Sequence, residues 1–278
     1  MSLSNTKRRL DQLLTELWPD LSRNRIQAEI MAGNILVNGF ICNKPGTMIK
    51  NDSEITLIKP ENPFVSRGGL KLEGALEDLS INVKDLVVLD VGASTGGFSD
   101  CLLKKGARLI YALDVGYGQL ASSLRNDPRV TVMERFNIRH LEQQDLPQKP
   151  NFAVVDVSFI SLSKVLPVIA KLKIPTVLAL VKPQFEAGRA DASRGGGVIR
   201  DPAVHRQVLN KIIIFACQTG YCFRGITFSK WPGPKGNIEY FIYFTYKNIS
   251  DCVCLPDHDS ITSQIVGQAH QVLAKKKI

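Results

Sequence analysis

The stretch LDVGASTGGFSD, residues 89–100, joins an apolar run to a cluster of small residues that closes on an aromatic side chain. Its glycines, Gly92, Gly96 and Gly97, lie within six positions. Such a cluster is typical of a turn in which the backbone comes very close to a ligand or to another element of the chain. The apolar run predicts a strand and the residues after the turn predict a helix, so the stretch predicts a strand–turn–helix unit.

Further apolar segments of strand length follow this unit and alternate with segments of helical spacing. The strand-like segments are LIYALDVG at 109–116, VTVMERFNI at 130–138, FAVVDVSFIS at 152–161, TVLALVKPQ at 176–184 and YFIYFTY at 240–246. Strands that are apolar on both faces and alternate with helices indicate a doubly wound, largely parallel sheet. The predicted fold class is therefore α/β.

The residues before this sheet have a different pattern. Leucines at helical spacing predict a helix over residues 10–17, a second helix runs from Arg23 towards Gly33, and two short strands follow. We expect a small α+β domain over residues 1–60 and a linker with a lead-in helix over 61–85. The sheet domain then covers residues 86–247, and residues 248–278 are expected to form a loosely structured tail.

Composition limits the classes of function. Lys and Arg outnumber Asp and Glu by 35 to 26, giving a formal net charge of +9, which favours a polyanionic partner. No apolar run is long enough to span a bilayer, and the N-terminus lacks the apolar core of a secretory signal. Six scattered cysteines and four distant histidines predict free thiols and no metal site. These observations predict a cytoplasmic protein without a membrane partner.

The glycine spacing in the opening stretch narrows its ligand. It is GxxxGG rather than GxGxxG, and no GK[ST] follows, so neither a dinucleotide fingerprint nor a phosphate-binding P-loop fits. Asp114 ends the next strand, where a carboxylate accepts hydrogen bonds from ribose hydroxyls. This combination predicts an adenosyl ligand without a pyrophosphate, namely S-adenosyl-L-methionine. Glycines that serve only helix–strand packing remain the alternative.

The predicted cofactor contacts lie in the glycine loop and at the ends of the neighbouring strands. Asn137 and Ile138 are placed to meet the adenosine, although Asn137 alone is also a common turn residue. The complete predicted set is Asp90, Gly92, Ala93, Ser94, Gly96, Gly97, Phe98, Asp114, Asn137, Ile138 and Asp156.

Four charged residues are expected at this same edge of the sheet. Asp156 and Lys182 each end a strand, Glu239 precedes the last strand, and Lys71 lies on the lead-in helix. Each alone is more typical of a solvated surface charge. Together, with alternating sign at one edge, they predict a site whose lysines have neighbours that tune their chemistry. We call these four residues the charged tetrad.

The chain resembles the TlyA family, historically labelled haemolysin A, in which an S4-like domain precedes an FtsJ-type methyltransferase. The resemblance rests on VSRGGLKLEGAL, LDVGASTGGFSD, ALDVGYGQL, DVSFISL, LVKPQFEAG and GNIEYF, and it covers roughly residues 7–246. It implies a Rossmann-like class I methyltransferase sheet and a Lys-Asp-Lys-Glu catalytic set at the charged tetrad. Phe98 and Asn137 depart from the FtsJ pattern, which carries Trp and often an acid there.

The resemblance implies methylation of a ribose 2′-hydroxyl of ribosomal RNA, at cytidine, within ribosomal subunits. The sequence leaves the oligomeric state open between a monomer and a weak dimer. Lys182 then acts as a base or as a stabiliser of the developing alkoxide, and the sequence leaves both open. A non-catalytic ribosome-assembly factor is the first alternative, and a pore-forming haemolysin is a weaker one. The predicted RNA-binding residues are Arg8, Arg9, Arg23, Arg25, Arg67, Arg194 and Arg200.

Overall fold

A computed structural model describes residues 7–19, 21, 23–31, 35–57, 62–188, 196–247 and 258–275. The chain divides into two compact units, residues 1–62 and residues 63–278. Each unit has its own buried apolar cluster.

The first unit consists of short strands and two helices. Its elements are β1 (Lys7–Arg9), α1 (Leu10–Leu17), α2 (Arg23–Met31), β2 (Ile35–Val37), β3 (Phe40–Ile41), β4 (Met48–Lys50) and β5 (Ile55–Leu57). The strand β1 pairs with β4, and β2 pairs with β3 and β5, all antiparallel. Leu10 and Leu14 of α1 pack with Ile26 and Ile30 of α2, so the predicted helical spacing buries one face of each helix.

The second unit is built on a seven-stranded sheet. Its strands are β6 (Val87–Val91), β7 (Leu109–Leu113), β8 (Val130–Met133), β9 (Phe152–Val155), β10 (Thr176–Val181), β11 (Tyr221–Phe228) and β12 (Tyr240–Tyr246). Their order is β11-β12-β10-β9-β6-β7-β8. The strands β6 to β10 are parallel to one another, and β12 is antiparallel to both β10 and β11. The predicted α/β class with a largely parallel sheet is confirmed.

Helices cover both faces of this sheet. They are α3 (Arg67–Asp78), α4 (Gly97–Lys104), α5 (Ser122–Arg125), α6 (Leu166–Lys171), α7 (Pro183–Glu186), α8 (Pro202–Gln218) and α9 (His258–Lys275). Alternate residues of β6 enter opposite cores: Leu89 packs with α6 and α8, and Val88 packs with α3 and α4. The lead-in helix α3 is part of the second unit, because its Leu72 and Leu76 belong to the same buried cluster as Val88 of β6.

The strand order places the site. The chain runs outward from β6 through β7 and β8 and returns to the other side of β6 at β9, so the strand order reverses at β6. Ligands of open α/β sheets bind at such a point. Val181 at the end of β10 pairs with Tyr240 at the start of β12. Residues that follow the parallel strands and the residue that precedes β12 therefore meet at one edge.

Three features differ from the expectations. The edge strand β11 was not predicted, because its residues YCFRGITF lack strict alternation. The prediction of a loose tail is wrong for residues 258–275, which form α9. Val266, Ala269 and Leu273 recur at helical spacing and are buried against the core. The prediction of free thiols holds for Cys42 and Cys101 but is wrong for Cys217 and Cys222, which are disulfide-bonded.

Candidate active site

The charged tetrad lines one cavity of about 390 Å³ at the carboxyl edge of the sheet. Asp156 follows β9, Lys182 follows β10 and Glu239 precedes β12, as the strand order requires. Lys71 reaches the same cavity from the first turns of α3. Four residues spread over almost 170 positions of sequence thus face one space.

Lys71 and Glu239 form a shielded ion pair. The Lys71 Nζ atom donates a hydrogen bond of 2.7 Å to Glu239 Oε2. The Glu239 side chain is fully buried, and the Lys71 side chain is 13% exposed. Gly233 packs against this carboxylate, and a Cβ atom at Gly233 would overlap Glu239 Oε1. The pair is therefore held from both sides by α3 and by the loop between β11 and β12.

Lys182 belongs to a second pair in the same cavity. Its Nζ atom lies 2.5 Å from Asp156 Oδ1 and donates a 3.0 Å hydrogen bond to Ser158 Oγ. The Lys182 side chain is 11% exposed, and that of Asp156 is 24% exposed. This ammonium is thus positioned by two oxygens from the loop that follows β9, and it still borders the cavity.

A second cavity of about 490 Å³ lies beside the first, and Gly92, Ser94 and Asp156 line both. Its apolar walls include Leu113, Ile138 and Ile160. The Asp114 carboxylate accepts hydrogen bonds from the backbone N–H groups of Ser94, at 2.8 Å, and Gly116, at 2.7 Å. Asp114 is thereby fixed at the wall of the cavity with acceptor capacity remaining on both oxygens.

These residues fit an adenosyl ligand. The second cavity has apolar walls for a base, a fixed carboxylate for ribose hydroxyls, and a size that small-molecule sites commonly have. Beneath the glycine loop, Ser99 donates a 2.6 Å hydrogen bond to Asp90 Oδ2, while Asp90 Oδ1 has no hydrogen-bond partner among the described residues. Burial raises the pKa of the Asp90 carboxyl to about 7.

The three glycines of the opening stretch lie close to the chain itself. A Cβ atom at Gly92 would overlap the carbonyl oxygen of Asp156, and one at Gly96 would overlap the Leu124 side chain. A Cβ atom at Gly97 would overlap Ser66 Oγ and approach the first turn of α3. Packing, the alternative left open by the sequence, accounts for all three glycines. Gly92 and Gly97 also border the cavities.

The other predicted cofactor residues are distributed unevenly. Ala93 and Phe98 border the cavity of the charged tetrad, and Asn137 and Ile138 border the second cavity. The Asn137 side chain accepts a 3.1 Å hydrogen bond from the backbone N–H of Arg139, which caps a short helical turn. Asp90 and Gly96 are buried beneath the loop and border neither cavity.

The predicted RNA-binding arginines have different surroundings. In the first unit, Arg8 pairs with Glu16, and Arg9 and Arg23 pair with Asp11. In the second unit, Arg67 borders the cavity of the charged tetrad and Arg200 is exposed before α8. Arg194 and the side chain of Arg25 lie outside the described residues.

Sequence reasoning missed two polar groups that hold the site together. Ser158 accepts a hydrogen bond from Lys182 and could have been found from its position two residues after Asp156 at a strand end. Glu186 is buried and accepts hydrogen bonds of 2.7 Å from Ser161 Oγ and from the backbone N–H of Leu162. It ties the loop after β9 to helix α7, and no local pattern indicates this contact.

A doubly wound sheet with these two adjoining cavities at its carboxyl edge defines the class of the chain. It is a methyltransferase of the Rossmann-like class, for which S-adenosylmethionine is the methyl donor. Residues 64–246 match the FtsJ-like methyltransferase family, and residues 8–55 match the S4 domain. The chain belongs to the FtsJ-like methyltransferase family, in the TlyA branch that carries an S4 domain.

Similar proteins share this organisation over most of their length. The Bacillus subtilis protein YqxC, provisionally named an rRNA methyltransferase, is 43% identical over 99% of this chain and 98% of its own. The 16S/23S rRNA (cytidine-2′-O)-methyltransferase TlyA of Mycobacterium tuberculosis is 42% identical over 80% of this chain and 85% of its own. A solved structure from Streptococcus thermophilus, provisionally called a hemolysin, has 39% identity and a TM-score of 0.78, with 99% of both chains covered.

Proposed function

We propose that the chain transfers a methyl group from S-adenosylmethionine to a ribose 2′-hydroxyl of ribosomal RNA, at cytidine. The observation that carries this proposal is the placement of two shielded lysine–carboxylate pairs around one cavity beside the cofactor-sized cavity. The activity in the name of the M. tuberculosis relative supports the choice of a cytidine 2′-oxygen. The S4 domain supports structured RNA as the partner, and we infer that ribosomal subunits are the substrate.

The residues of the site have distinct roles in this proposal. Asp114 binds the ribose of the cofactor, and Ile138 packs against its base. The bound cofactor supplies a methyl group on a positively charged sulfur, already activated for transfer. The 2′-hydroxyl loses its proton as its oxygen bonds to the methyl carbon, and the carbon–sulfur electron pair stays on sulfur. In-line alignment of these atoms supplies much of the rate.

Lys182 is the residue that contacts the 2′-oxygen. Asp156 and Ser158 hold its Nζ atom at the cavity, so its position is set before RNA arrives. The Lys71–Glu239 pair closes the opposite side and orients the ribose. Lys182 either accepts the proton or, as a cation, stabilises the oxygen while the proton passes to solvent. Lys182→Arg separates these roles, because a guanidinium keeps the charge and does not act as a base.

The test is transfer of radiolabelled methyl groups to ribosomal subunits and to naked ribosomal RNA. We expect label at a ribose 2′-oxygen with the parent chain and a loss of at least about a hundredfold for Lys182→Ala, with cofactor binding kept. Lys171→Ala, an exposed lysine on α6, is the matched control and should retain full rate. Full activity of Lys182→Ala, or label on a base, contradicts the proposal.

Two other outcomes identify the alternatives. RNA binding without methyl transfer to any substrate favours a non-catalytic assembly factor. Dye release from liposomes at low protein concentration favours a pore-forming protein. Among the described residues, no helix is both long enough and apolar enough to cross a membrane.

A further inference from the structure

Asp11, at the start of α1, is a fully buried carboxylate surrounded by donors. Arg9 binds it with both arms of its guanidinium, through Nε to Oδ1 and Nη2 to Oδ2, each at 3.0 Å. Gln27 Nε2 donates to Oδ2 at 3.1 Å, and the backbone N–H of Gln12 donates to Oδ1 at 3.1 Å. Arg23 Nη2 lies 3.5 Å from the same Oδ2 atom.

The two arginines of this cluster are exposed to solvent, although the Asp11 carboxylate that they share is buried. The Arg9 side chain is 45% exposed and that of Arg23 is 60% exposed. Arg9 uses two of its five N–H donors on Asp11, so three remain for another acceptor. Its guanidinium also lies against the backbone at Gly46, where an added Cβ atom would be 3.5 Å from Nη1. Because Arg9 and Arg23 share one oxygen atom, two guanidinium groups from β1 and α2 are presented side by side.

A carboxylate at this position opposes RNA binding if only charge is considered, since it cancels one positive charge beside a polyanion. Its benefit must therefore come from geometry. A guanidinium recognises phosphate through two parallel N–H donors. An arginine side chain that is already held in one position loses less conformational entropy on binding than a mobile one.

We propose that Asp11 is a positioning residue that holds Arg9 and Arg23 as a preformed site for an RNA phosphate. This inference rests on the proposed function, because it takes ribosomal RNA as the partner of the first unit. Asp11 contacts no RNA itself; it acts through the two arginines.

The neighbouring arginine offers a matched comparison. Arg8 lies beside Arg9 on β1 and forms a salt bridge with Glu16, whose side chain is 62% exposed. This pair is open to solvent, and among the described residues no second arginine contacts its carboxylate, in contrast to that of Asp11. Asp11→Asn and Glu16→Gln each remove one negative charge next to one arginine of the same strand.

Binding of the full chain to fluorescently labelled ribosomal RNA, measured by anisotropy at several salt concentrations, tests the proposal. Charge alone predicts tighter binding for both variants. The proposal predicts that Asp11→Asn binds RNA about fivefold to tenfold more weakly. The slope of log affinity against log salt concentration should become shallower by about one, because one phosphate contact is lost. Glu16→Gln should bind equally well or more tightly. Tighter binding by a folded Asp11→Asn variant overturns the proposal.

A second variant covers the case in which Asp11→Asn does not fold, as judged by its circular dichroism melt. Arg9→Lys keeps the positive charge and cannot form the two-armed contact. We expect it to bind about fivefold more weakly than the parent, an effect that total charge cannot produce. Arg129→Lys is its control and should bind as the parent does, because Arg129 makes the same two-armed contact with Asp127 in the second unit and is not among the predicted RNA-binding residues. Equal affinities of Arg9→Lys and the parent chain overturn the proposal.

Methyl transfer by the same proteins separates this inference from the proposed function. If the parent binds ribosomal RNA and Asp11→Asn binds weakly, the inference stands even where no methyl transfer occurs. If the parent transfers methyl groups and the Asp11→Asn and Arg9→Lys variants bind RNA like the parent, the inference fails and the proposed function stands. Absence of RNA binding by the parent overturns the inference.

Discussion

Asp11 in the first unit and Asp90 in the second are both fully buried aspartates, yet their carboxyl groups have opposite properties. Hydrogen bonds from Arg9, with further donors at Gln27 and Arg23, hold the pKa of Asp11 well below its usual range. Asp90 has Ser99 as its side-chain partner, and burial raises its pKa to about 7.

Loss of solvent contact alone thus does not set the charge of a carboxylate: Asp11 lies among donors, directly under two exposed arginines, whereas Asp90 lies deep in the core. In the first unit the buried anion is permanent and holds cations at the surface. In the second unit the buried group beneath the glycine loop is left with one oxygen that has no partner among the described residues. The charged tetrad follows a third arrangement, in which both members of each pair are shielded.

The largest expected effect comes from breaking a shielded pair. Glu239→Gln leaves the Lys71 ammonium, which is only 13% exposed, without its carboxylate. We expect methyl transfer to fall at least about a hundredfold, and the free energy of unfolding to fall by about 3 kcal/mol because a buried charge loses its partner. Single-turnover methylation and urea denaturation measure the two effects. An unchanged rate would exclude Glu239 from the site.

The next effect concerns the loop above Asp90. Gly92 has a φ of +88°, and a Cβ atom there would overlap the Asp156 carbonyl oxygen. Gly92→Ala should therefore cost about 2 kcal/mol or more in unfolding free energy and weaken cofactor binding, which calorimetry measures. Gly74→Ala is the control: its site in α3 has no atom within 4 Å of the added Cβ, so stability should rise by up to about 1 kcal/mol.

Asp11→Asn should destabilise the chain by an amount that does not vary between pH 5 and pH 8. The folded-state pKa of Asp11 is lowered, so the stabilisation from its ionised form is complete above its unfolded-state pKa of about 4 and is lost only as pH falls further. We expect a loss of about 2 kcal/mol, typical of a buried charged hydrogen bond that is removed. A loss that shrinks towards pH 8 contradicts this assignment.

Asp90→Asn should show the opposite behaviour. Because the folded-state pKa of Asp90 is raised to about 7, the native state holds a proton that the unfolded state releases above about pH 4. The stability of the parent chain therefore falls as pH rises from about 4 to 7, and an asparagine removes this fall. Denaturation without cofactor should show the variant gaining about 1 kcal/mol or more on the parent between pH 5 and pH 8. A constant difference argues against a raised pKa.

The smallest effect is expected at the exposed pair of the first unit. Glu16→Ala removes the partner of Arg8, and both side chains are partly or largely exposed to solvent. The free energy of unfolding should hardly change, since water and salt screen such pairs. A loss of unfolding free energy as large as that of Glu239→Gln would contradict the expectation that shielded ion pairs stabilise the fold more than exposed ones.

The residues of the candidate site differed in how readily sequence indicated them. Asp114, Asp156 and Lys182 were found because each ends a buried strand, and parallel strands end at one edge of their sheet. Gly96 and Gly97 were interpreted as cofactor residues, but their environment is set by Leu124 and Ser66, which no local pattern connects to them. Helix α9 was not predicted because its apolar residues are sparse. They form part of the core only where they pack against α8 and β11.

The sequence by itself determined the alternation of strands and helices, and with it the residues that stand at strand ends, because these depend on short-range periodicity. Tertiary structure alone decided which charges meet. Lys71 reaches Glu239 because β12 pairs with β10 in the register that sets Tyr240 beside Val181. The contact of Asp11 with Arg9, two residues away, is local, but Asp11 meets Arg23 because α1 and α2 pack through their leucine and isoleucine faces. Such contacts join residues far apart in the chain, and only the packed core brings them within hydrogen-bonding distance.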